Sequence, residues 1–206
     1  MTKYGFRDGN ARIKKSTVNK QIVEDKVPMQ YTIPTCVAIS TSAILTGEDI
    51  NAKGTAAYGP EDILINMPYP MQIALNWNAE GSADSSDTLT FVGSAANGAA
   101  ISEGLIITSA ASGTVYTEKA FARINSITAD GVSPCTDIGI GYRANIGLPY
   151  PIEVLGDIVS YRHGYGSGTS ANWGVTLVST TNGVITMPTM TSGSAMSMIY
   201  KTKVQS

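Results

Sequence analysis

Apolar residues recur at every second position in four stretches of this chain. Met71, Ile73, Leu75 and Trp77 alternate with Gln72, Ala74 and Asn76. Ile138, Ile140 and Tyr142 alternate with Gly139 and Gly141, and Trp173, Val175 and Leu177 with small or polar neighbours. In the last segment Met196, Met198, Tyr200 and Val204 mark one face, and Ser197, Lys201 and Lys203 the other. A period of two puts the apolar side chains on one face of a β-strand. Turn chemistry separates these stretches: Asn97-Gly98, Ser112-Gly113, Asp130-Gly131 and Asn182-Gly183. Asn-Gly and Asp-Gly accept the positive φ that tight hairpins need. Pro and Gly recur too often after residue 28 for long helices. Residues 13–27 keep a 3.6-residue period poorly and read as extended, or at most a short helix. The pattern predicts an all-β fold, an antiparallel β-sandwich or barrel-like body.

A Pro-Tyr-Pro core occurs twice, in MPYPMQIAL from Met67 and LPYPIEVL from Leu148. Each proline fixes φ, removes an amide donor and pushes its predecessor to extended geometry. Both copies are therefore expected to be stiff lead-ins that stay out of a central ladder, with the alternating strand starting just after. LTFVGSAANG and VTLVSTTNG echo each other downstream, as an old duplication would leave them. Similarity elsewhere fades quickly, so shared lead-in chemistry is the preferred account.

Charge divides the chain. Of 206 residues, the first 26 hold seven Lys and Arg (Lys3, Arg7, Arg12, Lys14, Lys15, Lys20, Lys26) against Asp8, Glu24 and Asp25, while the formal net charge is −2. A basic, extended N-terminal arm (1–34) therefore precedes an acidic, β-rich body (35–206), with possible sub-units 35–147 and 148–206. Such an arm suits a partner of opposite charge; its alternative reading is a solvated terminus. Arg7, Arg12, Lys14, Lys15 and Lys20 are the candidate partner contacts. The acidic body and the lack of interleaved basic and aromatic residues argue against nucleic acid. No apolar run reaches membrane-spanning length and no secretory leader is expected at the start. Cys36 and Cys135 lack metal or redox spacing and read as buried thiols.

Candidate chemistry is sparse. The single histidine, His163, lies beside the glycine-rich HGYGSGTSANWG stretch without the partners a general base needs. GIGYRANIG and GYGSG lack the following helix that a phosphate loop requires. EGSADSSDT offers oxygen donors without EF-hand spacing and reads as a polar turn. No catalytic residue, metal site or cofactor is expected.

The stretch LTFVGSAANGAAISEGLIITSAASGTVYTEKAFARINSITADGVSPCTDIGIGY (89–142), continued by NIGLPYPIEVL, resembles a pattern of tailed-bacteriophage virion proteins, usually head decoration, or cement, proteins. The similarity covers roughly residues 71–155. It implies a β-sandwich on the outer capsid surface, made in the host cytoplasm. Its partners would be the major capsid protein and neighbouring copies of itself, as a homotrimer, with no enzyme activity. A chain lacking residues 1–30 is then expected to fold yet bind expanded capsids weakly. The alternative is a tail, neck or fibre module binding a host-surface glycan. It would use Trp77, Trp173, Tyr161 and Tyr165 as stacking platforms. Both tryptophans also fit strand cores, and the two tyrosines are the better candidates for exposure.

Overall fold

A computed structural model describes residues 17–18, 21–22, 26–48, 57–58, 65–79, 86–108, 112–130, 135–163, 176–186 and 192–203. The fold is all-β, with antiparallel sheets packed together and no α-helix among the described residues. β1 (Thr17–Val18) and β2 (Gln21–Ile22) form a short antiparallel pair. The remaining strands are β3 (Lys26–Ile33), β4 (Ser40–Glu48), β5 (Ala57–Tyr58), β6 (Ile65–Ala79), β7 (Ser86–Ser94), β8 (Ala100–Thr108), β9 (Gly113–Asp130), β10 (Cys135–Gly147), β11 (Ile158–His163), β12 (Thr176–Ser179), β13 (Val184–Thr186) and β14 (Met196–Lys203).

A large sheet runs β12-β13-β10-β6-β9-β7-β8, with β4 also on β10 and β5 on β9. A small sheet runs β11-β14-β3. Residues 26–33, grouped with the arm on charge, thus form an edge strand of the body, paired along their whole length with the C-terminal strand. The 148–206 stretch is shared: β11 and β14 lie in the small sheet, β12 and β13 in the large one.

The period-two pattern is visible in burial. Met71, Ile73, Leu75 and Trp77 from β6, and Ile138, Ile140 and Ile146 from β10, enter one apolar core. From the small sheet the same core takes Ile33, Ile158, Tyr161, Met196, Met198 and Tyr200. Burying such a face removes roughly 1.5–3 kcal/mol worth of exposed apolar surface per large side chain. β10 explains its own glycines. Ile138 and Ile140 face the core, while a Cβ on Gly139 would meet the Asn76 carboxamide and one on Gly141 the Ser40 carbonyl. The missing side chains let the irregular start of β4 close down on β10, where Asn76 Nδ2 donates to the Thr41 carbonyl at 2.5 Å.

Both Asn-Gly sites turn as their chemistry predicts. Gly98 has φ +82° between β7 and β8, and Gly183 has φ +61° between β12 and β13. Asn97 Oδ1 accepts the Ala99 N–H at 3.0 Å, closing the first turn.

The two Pro-Tyr-Pro copies diverge from the expected common role. The first lies inside β6, which begins at Ile65, ahead of the prolines. It still leaves the ladder: Asn66 pairs with Arg123 and Met71 with Phe121, so residues 67–70 bulge opposite a single residue of β9. Missing amide donors force that break, while Met67 and Tyr69 keep alternation and stay buried. The second copy starts no strand. The chain bends through residues 149–154 into a 3-10 turn, Leu155–Asp157, before β11. Here a local acceptor wins over alternation, because Asp157 Oδ2 takes the N–H groups of Glu153 (3.1 Å) and Val154 (3.2 Å). The segment straps one sheet to the other: the Leu148 N–H donates to the Gly183 carbonyl (2.8 Å), and Thr202 Oγ1 to the Pro151 carbonyl (2.8 Å).

Candidate functional site

On the face of β6 turned away from the core, alternation places Gln72, Ala74 and Asn76. One row of the sheet there reads Tyr116–Ala74–Gly141, because Ala74 pairs with both outer residues. Ala74 contributes almost no bulk, so the sheet is low over β6, while at Gly141 the backbone of β4 takes the space. Arg143, two residues on from Gly141, reaches across β6, and its guanidinium carbon lies 4.4 Å from the centre of the Tyr116 ring. This cation–π contact fixes the planar guanidinium on an aromatic face.

A bulge in β9 raises one wall. Gln72 pairs with Ala120 and Ala74 with Tyr116, so residues 117–119 stand opposite Ile73 alone. The two extra residues must leave the sheet plane, yet side chains meet their backbone groups. Thr117 Oγ1 accepts the Ile73 N–H (2.9 Å) and donates to the Lys119 carbonyl (2.8 Å). Gln72 Nε2 donates to the Glu118 carbonyl at 3.1 Å. The Glu103 carboxylate accepts the N–H groups of Glu118 (2.5 Å) and Lys119 (2.9 Å). Bulges held this fully are built features and are common beside functional sites.

The floor is polar, buried and paired. Asn145 Nδ2 donates to Gln72 Oε1, and Thr186 Oγ1 donates to Asn145 Oδ1 at 2.7 Å. Gln72 and Asn145 are 2% and 1% exposed, so this ladder is rigid. Above it lies an open groove of about 610 Å³ lined by Gln72, Thr114, Tyr116, Glu118, Arg143 and Ser179, among others. Within the described residues, Arg143 has no carboxylate partner and Glu118 no cation partner, so both heads face solvent.

A second polar cluster ties the small sheet to the strap. Lys26 Nζ contacts the two Asp157 carboxylate oxygens at 2.7 and 2.8 Å and Glu153 at 3.3 Å, and Lys203 Nζ contacts Glu153 at 2.6 Å. Burial works against the Asp157 anion, but Lys26 and the two backbone N–H donors hold its carboxyl below the usual range. The hydrogen bond it donates to Asp157 raises Lys26 above its ordinary value, against some desolvation. This cluster fastens the fold; its charges are spent on each other.

The sequence-named residues fall out as follows. Arg7, Arg12, Lys14, Lys15 and Lys20 lie outside the described residues, as do Trp173 and Tyr165. Trp77 is core, 5% exposed. Tyr161, expected at the surface, is also 5% exposed: a register shift between Ile158 and Ser160 breaks the alternation of β11 and lets Tyr161 share the core face with Ile158. Burial pushes the phenols of Tyr69, Tyr161 and Tyr200 up to about 12. Cys36 is a buried free thiol raised by burial. His163 closes β11 and pairs with Met196. No group of three or more His, Cys, Asp or Glu that could hold a metal occurs among the described residues. There too, no helix is long and apolar enough to cross a membrane.

Sequence reasoning missed Tyr116, Glu118 and Arg143. Alternation in VYTEKAF puts Tyr116 and Glu118 on one face. Arg143 is joined to them only through β6, which separates β9 from β10. No family model, curated protein or solved structure matches this chain.

Proposed function

We propose that the chain is a non-enzymatic structural virion protein, a capsid decoration protein that binds the outer head shell and its own copies. The observation that carries this reading is the resemblance of residues 89–142 to decoration proteins, joined to their fold. That stretch supplies β7, β8, β9 and β10, strands of the large antiparallel sheet, in keeping with the all-β fold that the resemblance implies. Surface chemistry supports self-association. Of the nine exposed large apolar side chains among the described residues, Tyr150, Val154, Leu155 and Val159 lie within ten residues, and Ile199 is on the strand paired with β11. Exposed apolar side chains gathered in this way suit protein contact, which symmetric assemblies repeat. The basic arm, with Arg7, Arg12, Lys14, Lys15 and Lys20, would dock on acidic shell surface or on a neighbouring copy.

The test removes the arm without cutting the body. Because β3 starts at Lys26, the deletion is residues 1–25 rather than 1–30. The shortened chain should keep its thermal unfolding transition and bind expanded capsids much more weakly. Unchanged binding would refute arm docking.

A further inference from the structure

We propose that the groove over β9, β6 and β10 is a binding site for a neutral saccharide. This does not rest on the virion reading. The argument begins with what the groove offers. Tyr116 is 40% exposed and presents an aromatic surface. Arg143, packed on that ring, carries guanidinium N–H donors without a carboxylate partner among the described residues. Glu118 supplies a carboxylate acceptor on the raised wall, and Thr114 and Ser179 add hydroxyls. The floor amides of Gln72 and Asn145 already bond to each other, to Thr186 and to the Glu118 carbonyl, so they shape the groove without competing for a ligand.

Pyranose rings ask for this combination. Neighbouring hydroxyls donate to a carboxylate and accept from a guanidinium, while the ring's C–H face packs on an aromatic side chain. Competing ligand classes fit less well. A phosphate or other strong anion would meet Arg143 and Glu118 together, whose charges cancel. An apolar ligand would strand both charged heads away from water. The volume of about 610 Å³ falls in the ordinary range of small-ligand clefts, roughly 300–1,000 Å³. Preorganisation also favours binding: the cation–π contact and the side-chain-satisfied bulge hold the wall groups in place before the ligand arrives.

The test is titration calorimetry of the full chain with a panel of neutral oligosaccharides built from glucose, galactose, mannose and N-acetylglucosamine. A matching panel carries uronic acid or sialic acid. Wild type should bind at least one neutral sugar. Tyr116→Ala and Arg143→Ala should each weaken it at least about tenfold, and Tyr116→Phe should retain it. Circular dichroism and the thermal transition should be unchanged in all three, since these side chains stand at the surface. Binding of no neutral sugar, binding of acidic sugars alone, or binding that survives both alanine variants would overturn the proposal.

Discussion

Replacing Asp157 tests how the strap is fastened to the small sheet. Its carboxylate takes both short contacts from Lys26 on β3 and two N–H groups of the strap that follows the second Pro-Tyr-Pro. The Asp157 side chain is 7% exposed and that of Lys26 21%. The pair therefore falls between a surface ion pair, worth about 0–1 kcal/mol, and a fully buried one, whose breaking costs about 3–5 kcal/mol. Asp157→Ala also leaves the Glu153 and Val154 N–H groups without their acceptor, at about 1 kcal/mol or more each where water cannot replace it. Because Lys26 keeps Glu153, we expect about 3 kcal/mol for Asp157→Ala. Asp157→Asn keeps an acceptor, and about 1.5 kcal/mol is expected. The pH dependence follows from the direction of each shift. The Asp157 carboxyl is lowered in the fold, so its contribution is present above the unfolded value near 3.8 and is lost as pH falls through the lower folded value. Urea denaturation at pH 7 and again near pH 2 reads both. The gap between wild type and Asp157→Asn should be full at pH 7 and smaller at the acid end. A gap below about 0.5 kcal/mol at pH 7, or one that persists undiminished in acid, would refute the fastening role.

Four further outcomes follow. Gly141→Ala drives a Cβ to within 2.0 Å of the Ser40 carbonyl oxygen. It should destabilise by about 1–3 kcal/mol and speed hydrogen exchange along β4, with unchanged exchange arguing against the close approach. Thr117→Val removes the acceptor for the Ile73 N–H inside the β9 bulge. About 2 kcal/mol should be lost in urea titration, and a neutral result would mean the bulge finds another acceptor. Lys26 and the phenols of Tyr69, Tyr161 and Tyr200 are all raised in the fold, so their contribution holds below the unfolded values of 10.5 and 10.0 and is lost above them. Absorbance should therefore show these tyrosines ionising near 12, together with alkaline unfolding. The Cys36 thiol should resist alkylation in the native protein and react once urea unfolds it.

Period-two alternation made the core legible wherever a strand has one apolar face, as in Met71–Trp77 and Met196–Tyr200. Asn-Gly chemistry likewise located two hairpins, because positive φ is a local demand that only the local residues satisfy. Alternation failed after Pro151, where IEVLGDIVSY looks like a strand. The Asp157 side chain gathers nearby N–H groups into a turn, and its partner Lys26 is far away in sequence. Charge over the first 26 residues, with Pro28 and Pro34 beyond them, grouped Lys26–Ile33 with the arm; its pairing with Met196–Lys203 is a contact across most of the chain that no local signal encodes. The groove was hidden for the same reason. Tyr116 and Arg143 meet across an intervening strand where Ala74 is small, and a small residue announces nothing in a single sequence.

The decoration role we propose is tested by the copy number of this protein relative to the major capsid protein in purified particles. Quantitative mass spectrometry of intact virions provides it. Decoration requires copies in the hundreds, in a fixed ratio to the shell protein set by the capsid lattice. A dozen copies or fewer, or none, would contradict decoration and place the chain elsewhere.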